Sequence, residues 1–558
     1  MRFLTCRPLF MESLEIGATL GSMPPSHLRP TIENETSVEL ESCRVFGCAD
    51  QVLLLADESA SWCLLEEGEA AVALSAQGQT FGQLSTARPE LDPALLREFF
   101  VRLYQRGLLR LNDEPGFDPR LLEDGAIFHD ANLVEILVTQ KCNLACLYCL
   151  AEAGPDMPHL HPEIAFEAVD RAFELPEAKP LAIQLSGGEP FVNFKLFRAV
   201  VEYIERKSAE TGREAMVCTQ SNGTLVTDEI AEFLAAHGIA IGVSIDGPAH
   251  LNNRSRPMLG GQESHARTIR GIKILQQRGI KFGTILVLNR VNVGYPEEIA
   301  DFFSELGIKS TKINPINMIG DAQRTWDDMS ISSDEYFEFL DRWIAHVTNG
   351  GPPVLESNLG EYLKYLYRRV HDYRCMRSNC GAGKSFFLVD ASGDVYPCAH
   401  SAGIPEWKLG SVADAATGGF EALGTSHPVL VNFRRRFVDL MDDSRPCPWR
   451  HFCEGGCAVN AYQKFGTVVA TDTLCAFYER IYPRLLELLA AEPERFQCLL
   501  DITLGPGQAR VGSLDFGIPT NSDGLVRKEA LNTNYHARCG SHSVNQPASS
   551  PAFTNGRS

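Results

Sequence analysis

Between about residues 131 and 320 one unit repeats along the chain: a short apolar run, then polar and apolar residues at helical spacing. The runs "LVEILVT", "LAIQLSG", "AMVCTQSNG", "IAIGVSIDG", "FGTILVLN" and "STKINPI" predict strands. "EIAFEAVDRAFEL", "LFRAVVEYIERKSAE" and "EIAEFLAAHG" predict amphipathic helices between them. Continuous apolar strands alternating with helices mean a parallel sheet covered on both faces, either a barrel or a doubly wound sheet. In a βα barrel the chemistry gathers at the C-terminal ends of the strands. Those ends carry, in order, "TQKCNLACLYC", "SGGEP", "SNGT" and "SIDGP".

The flanking regions differ. Residues 1–42 mix Pro, Ser and acidic residues and read as a loosely ordered extension. Residues 43–112 pair strand-like runs, "QVLLLAD" and "SWCLL", with the helical pattern "PALLREFFVRLYQRGLLRL", which predicts a small α+β module of winged-helix size. Residues 321–369 read as a helical linker, and 370–500 as a Cys-rich domain with little periodicity. Residues 501–558 are rich in Gly, Ser and Asn and are expected to be disordered.

Composition narrows the class. The chain of 558 residues is 44% hydrophobic and 22% charged, as in a soluble protein of several domains. Its net charge of −20 argues against nucleic acid as a partner, since phosphate binding needs clustered Lys and Arg. No apolar run is long enough to span a bilayer, and the N-terminus lacks a secretory pattern. The expected location is cytoplasmic, without membrane attachment.

Cysteine usage changes the picture most. In a reducing cytosol, 17 cysteines point to metal binding or catalysis rather than to disulfides. Cys142, Cys146 and Cys149 follow the first barrel strand, and seven more lie between Cys375 and Cys475. Cys6, Cys43, Cys48, Cys63, Cys218, Cys498 and Cys539 read as small buried hydrophobes or inert thiols. Three thiolates at the spacing of 142, 146 and 149 suit one face of an iron–sulfur cubane and leave one iron open to another ligand. A zinc site would favour thiols paired across two residues and a second such pair nearby, which is absent within about 30 residues.

This motif, with Tyr148 before its last Cys, resembles the signature of radical S-adenosylmethionine (SAM) enzymes. The resemblance covers residues 131–320 and implies a partial (β/α)6 barrel. It also implies a 4Fe–4S cluster whose open iron chelates SAM, and reductive cleavage of SAM to a 5′-deoxyadenosyl radical. The cofactor carries that chemistry and the protein positions it. By the same resemblance Gly187, Gly188 and Glu189 of "GGEP" meet the methionine amine, with Glu189 accepting from it. Asn222 and Ser244 contact carboxylate and ribose. Arg256 aligns with the Arg of a His-Asp-x-x-Arg-Pro motif, although Asn252 and Asn253 stand where that motif has His and Asp.

The later cysteines are similar to a SPASM domain, the auxiliary-cluster extension of peptide-modifying radical SAM enzymes. That implies one auxiliary 4Fe–4S cluster on Cys375, Cys380, Cys398 and Cys457, and a second on Cys447, Cys453 and Cys475. Ser444 stands where the second set would have a further Cys, so Ser444, Asp443 or Asp442 supplies oxygen there, or one iron stays open. The stretch "GAGKS" at 381–385 lacks the first Gly of a phosphate loop and reads as a cluster loop.

The resemblance implies an oxidoreductase whose partner is a precursor peptide or protein. The reductant would be a flavodoxin or ferredoxin, and an oxidative thioether or carbon–carbon cross-link is the leading product. Formylglycine maturation of sulfatases is the alternative, weakened by Ala399 where those enzymes place an Asp base. A non-enzymatic multi-cluster electron-transfer protein is the rival of another class. Residues 43–112 resemble a PqqD-like leader-recognition module, which captures a peptide as an added edge strand.

Overall fold

A computed structural model describes residues 3–5, 30–57, 60–105, 107–116, 132–177, 180–368, 375, 380–434, 436, 441, 447–506 and 512–514. The chain divides into two compact units, one of residues 1–119 with 511–558 and one of residues 120–510.

The larger unit is built on a ten-stranded sheet. Its catalytic half runs through β1 (Asn132–Thr139), β2 (Leu181–Gly187), β3 (Ala215–Ser221), β4 (Ala240–Ser244), β5 (Phe282–Leu288) and β6 (Ser310–Pro315), all parallel in that order. All eight residues of β1 are buried, as expected of a strand covered on both faces. The helices between strands start where the sequence offers a cap. Pro162 opens α1 (Pro162–Phe173), and the Thr227 hydroxyl accepts from the Ile230 amide at the start of α2 (Asp228–Ala236). Each buries its apolar stripe: Ala165, Ala168, Val169 and Ala172 in α1, and Ile230, Ala231 and Leu234 in α2.

Two features of this sheet differ from the sequence reading. The stretch expected to be a helical linker also contains β7 (Leu355–Glu356), which adds in parallel to β6. Two residues are too short to show a strand period, and their place is fixed by the buried Glu356 carboxylate, which accepts from the Ile313, Asn358 and Leu359 amides. On the other side, β8 (Phe386–Val389) pairs in parallel with β1, and the hairpin strand β9 (Asp394–Tyr396) and then β10 (Gly410–Ser411) extend it antiparallel. The Cys-rich region, which shows little periodicity in sequence, thus continues the barrel sheet.

The smaller unit has the expected α+β content. The strands Cys43–Cys48, Gln51–Ala56 and Trp62–Leu65 form an antiparallel meander. Helices Glu67–Leu74, Phe81–Ala87 and Pro93–Gln105 follow, then a short hairpin, Leu109–Leu111 with Glu114–Pro115. Three boundaries move. The fold begins before residue 43, because Ile32 and Val38 enter its core and Ser37–Leu40 pairs with Leu109–Leu111. The helical pattern stops at Gly107, which adopts φ of 65°, and the residues after it form a strand. Residues 501–504 end a helix, Pro493–Leu504, and Gly512–Leu514 pairs with Phe3–Thr5, so the tail is not wholly without structure. The rest of that tail, and most of the N-terminal extension, lie outside the described residues.

Candidate active site

The loop after β1 is fastened from three directions. Its start is packed against the end of β2: the Gly188 amide donates to Thr139 O at 2.9 Å and the Glu189 amide to Lys141 O at 2.9 Å. A Cβ on Gly187 would stand 1.9 Å from Thr139 O, and one on Gly188 would stand 2.5 Å from Lys141 O. The two glycines of "GGEP" therefore let β2 close against the cysteine loop. The middle of the loop is tied to the segment after β4, with the Ala145 amide on Pro257 O and the Leu147 amide on Ser255 O. Its end is held from beyond β6, by the Thr325 hydroxyl on Leu147 O at 2.7 Å and the Asp321 amide on Cys149 O at 2.9 Å. Gly320 sits so close beneath Cys149 that a Cβ there would meet its carbonyl at 2.3 Å. Gly320, Asp321 and Thr325 carried no signal in the sequence.

Cys142, Cys146 and Cys149 are each half-buried and act on one another electrostatically. Burial pushes the Cys142 thiol up to about 11 and the Cys146 thiol up to about 12. The donors nearby are arranged for sulfur carrying charge: the Leu144 amide points at Cys142 Sγ from 3.4 Å and the Asn222 side-chain amide from 3.8 Å. Three thiols on one braced loop, with amide donors aimed at a sulfur, are a donor set that suits an iron–sulfur cluster.

Tyr148 turns away from solvent into a buried triad. Its hydroxyl donates to Asp246 and accepts from Arg256 Nη1 at 2.7 Å, while Arg256 stands 3.8 Å from Asp246. Burial works against the Arg256 charge, and Cys146, Tyr148 and Asp246 outweigh it, holding the guanidinium firmly protonated. Arg256 is thus a buried brace beside the cysteine loop. Asn252 and Asn253, the departures from the family motif, fix the same turn: Asn252 Oδ1 accepts from the Asp246 amide and Asn253 Oδ1 from the His265 amide.

Glu189 is fully buried and already accepts from the Ser221 hydroxyl at 2.9 Å and the Asn222 amide at 2.7 Å, with the Phe191 amide at 3.3 Å. These contacts join the ends of β2 and β3. Burial lifts the Glu189 carboxyl to about 7, against these donors. Asn222 reaches back to the cysteine loop through Asn143 Oδ1 at 2.9 Å. Ser244, at the end of β4, accepts from Gln220 Nε2 at 2.9 Å. Gln220 can lie across β4 only because residue 242 is Gly, where a Cβ would come within 2.1 Å of Gln220 Oε1. Gln220 was not foreseen; a polar residue inside an apolar strand was its one signal.

The later thiols fall into two groups. Cys380, Cys398 and Cys457 act on one another's neighbourhood together with Cys375, which is exposed. Cys453 feels Cys447 and Cys475 instead. Desolvation pushes the Cys380 thiol up to about 12, Cys398 to about 11, and Cys453 and Cys457 well above the usual thiol range. Asp442, Asp443 and Ser444 lie outside the described residues.

Residues 136–303 match the family model described as Radical SAM superfamily. They are a radical SAM domain. The chain is accordingly an enzyme that uses SAM and a 4Fe–4S cluster. It is 25% identical over 350 residues to the serine-type anaerobic sulfatase-maturating enzyme of Bacteroides thetaiotaomicron, covering 58% of this chain and 81% of that one. It is 26% identical over 379 residues to the AdoMet-dependent heme synthase of Oleidesulfovibrio alaskensis, covering 65% of this chain and 92% of the relative. The structure of native anSMEcpe with bound AdoMet shares the radical SAM fold at a TM-score of 0.55 and 19% identity, over 66% of this chain and 99% of that one. Among the described residues of this radical SAM enzyme, no helix is long and apolar enough to cross a membrane.

Proposed function

We propose that this radical SAM enzyme modifies a ribosomally made peptide or a partner protein, forming an oxidative thioether or carbon–carbon cross-link. The observation that carries the reading is the continuity of sheet between the barrel and the Cys-rich region. Through β8 and β9, with Leu388 and Tyr396 packed on Leu137 of β1, the Cys398 loop follows directly from strands seated on the barrel. A hydrogen abstracted from substrate leaves an electron to be removed, and a thiol set joined to the barrel is placed to hold its acceptor. When bound, SAM and its cluster supply a 5′-deoxyadenosyl radical. The chain's own part is to hold Cys142, Cys146 and Cys149 in one braced loop and to orient Ser244 through Gln220.

Three further elements belong to this reading. Cys375, Cys380, Cys398 and Cys457 hold one auxiliary cluster, and Cys447, Cys453 and Cys475 a second. A flavodoxin or ferredoxin supplies electrons. The smaller unit captures a leader peptide, for which Cys43–Cys48 is the outer strand of its five-stranded sheet.

Sulfatase maturation is a second reading, favoured by relatives that bear that name. A structure of anSMEcpe is described with bound AdoMet and a peptide, which suits either reading. Ala399 in place of an acidic base weighs against the second.

The test is anaerobic co-expression with the small open reading frame nearest the gene, followed by intact mass of that peptide. Loss of two hydrogens per site, absent with Cys142→Ala, supports the cross-link. An unchanged mass together with oxidation of a sulfatase Ser or Cys establishes the second reading. Wild-type 5′-deoxyadenosine formation by Cys142→Ala would overturn the cluster assignment.

A further inference from the structure

Glu454, Gly455 and Gly456 link Cys453 of one thiol set to Cys457 of the other, and all three are left-handed, with φ of 51°, 73° and 69°. A left-handed backbone is unfavourable for a residue with a side chain, so Glu454 needs a compensating contact. One guanidinium collects the carbonyls of all three. Arg436 Nη2 donates to Gly455 O at 2.5 Å, and Nη1 donates to Gly456 O at 3.0 Å and Glu454 O at 3.4 Å. The same side chain donates to Val468 O at 2.8 Å and Ala470 O at 3.4 Å.

Arg436 is 1% exposed, and each of these acceptors is a neutral carbonyl. Among the described residues no carboxylate pairs with it. Asp472 is near, but its oxygens accept from the Cys457 amide at 2.8 Å, the Asn460 side chain at 3.2 Å and the Thr473 hydroxyl at 3.0 Å. A buried cation whose direct contacts are all neutral is costly, and Asp472, engaged by these other donors, is the one carboxylate among the described residues that acts on it. The sulfurs close enough to act on it are Cys380 and Cys457 of one set and Cys453 of the other.

We propose that Arg436 is the shared counter-cation of two auxiliary clusters, shaping the turn that divides their ligands and raising the potential of both. This rests on the assignment of the seven later cysteines to two clusters. An electron added to either cluster adds negative charge beside a fixed cation in a dry site, which favours the reduced state.

The test is a spectroscopically monitored redox titration of anaerobic holoenzyme, with iron counted per chain, for wild type, Arg436→Met and Arg436→Lys. Arg436→Met with full iron should shift the auxiliary reduction equilibrium at least tenfold toward the oxidised form, about 59 mV for a one-electron couple. The cluster on Cys142, Cys146 and Cys149 should keep its potential, and Arg436→Lys should hold the auxiliary potential within that range. Full iron with unchanged auxiliary potential in Arg436→Met overturns the proposal. If Arg436→Met loses auxiliary iron, Arg436→Lys decides: iron and potential retained support the charge role, and iron lost there as well leaves only a geometric role and overturns it. Wild-type enzyme holding one cluster's iron would instead refute the auxiliary-cluster reading itself.

Discussion

Tyr148 and Arg256 lie far apart in sequence, yet Arg256 Nη1 donates to the Tyr148 hydroxyl at 2.7 Å, beside three cysteines the chain must present together. The contact joins the cysteine loop to the turn after β4 and leaves Asp246 compensated in a site closed to water.

Arg256→Met should therefore destabilise the anaerobic enzyme by about 3–5 kcal/mol near neutral pH, because it strands the Asp246 carboxylate. Below about pH 4 that carboxyl is protonated in folded and unfolded chains alike, and the loss should shrink. Urea melts at both pH values measure it; an equal loss at both would show that packing, not charge, matters there.

Glu356 gives a pH dependence of the opposite sign to a paired surface carboxylate. Burial lifts it to about 7 in the folded chain, so the folded state binds the extra proton. Stability contributed at this position is greatest below the unfolded carboxyl value and falls as pH rises toward about 7. Glu356→Gln should flatten that part of the melting-temperature profile while losing the bond from the Leu359 amide. A profile as steep as wild type would remove Glu356 as its source.

The two glycines after β2 should tolerate no side chain. Gly188→Ala drives a methyl into Lys141 O, and Gly187→Ala drives one into Thr139 O from a backbone with φ of 147°. We expect either variant to fold and to lose iron from the Cys142 site while keeping the rest. Iron counting against a Cys142→Ala control tests this, and full iron would sink it.

Gln220→Ala should raise the concentration of SAM needed for half-maximal binding about two- to tenfold, the range for one lost hydrogen bond. Gly242→Ala should do the same by pushing Gln220 off Ser244. Equilibrium binding with iron content held equal is the measurement. No change in both variants would free Ser244 from Gln220.

The six barrel strands and their C-terminal polar ends could be read from the sequence because each signal is local. "LAIQLSG" proved to be β2 from end to end, and three cysteines within eight positions need no fold to be recognised. Local signals failed where an element was short or its reason lay elsewhere. Leu355–Glu356 is too brief to show a period, and Ile32 is an isolated apolar residue whose burial depends on helices far along the chain.

The sequence by itself determined the parallel βα unit, the cysteine spacing and the rim on which chemistry gathers, since periodicity and spacing act over a few residues. Only the tertiary structure decided that Glu189 braces two strand ends, that Gln220 reaches Ser244 across a missing Cβ, and that Arg436 holds three left-handed carbonyls between two thiol sets. Those roles depend on distances between segments that are remote along the chain, and a buried charge or hydrogen bond takes its meaning from the neighbours that exclude water around it.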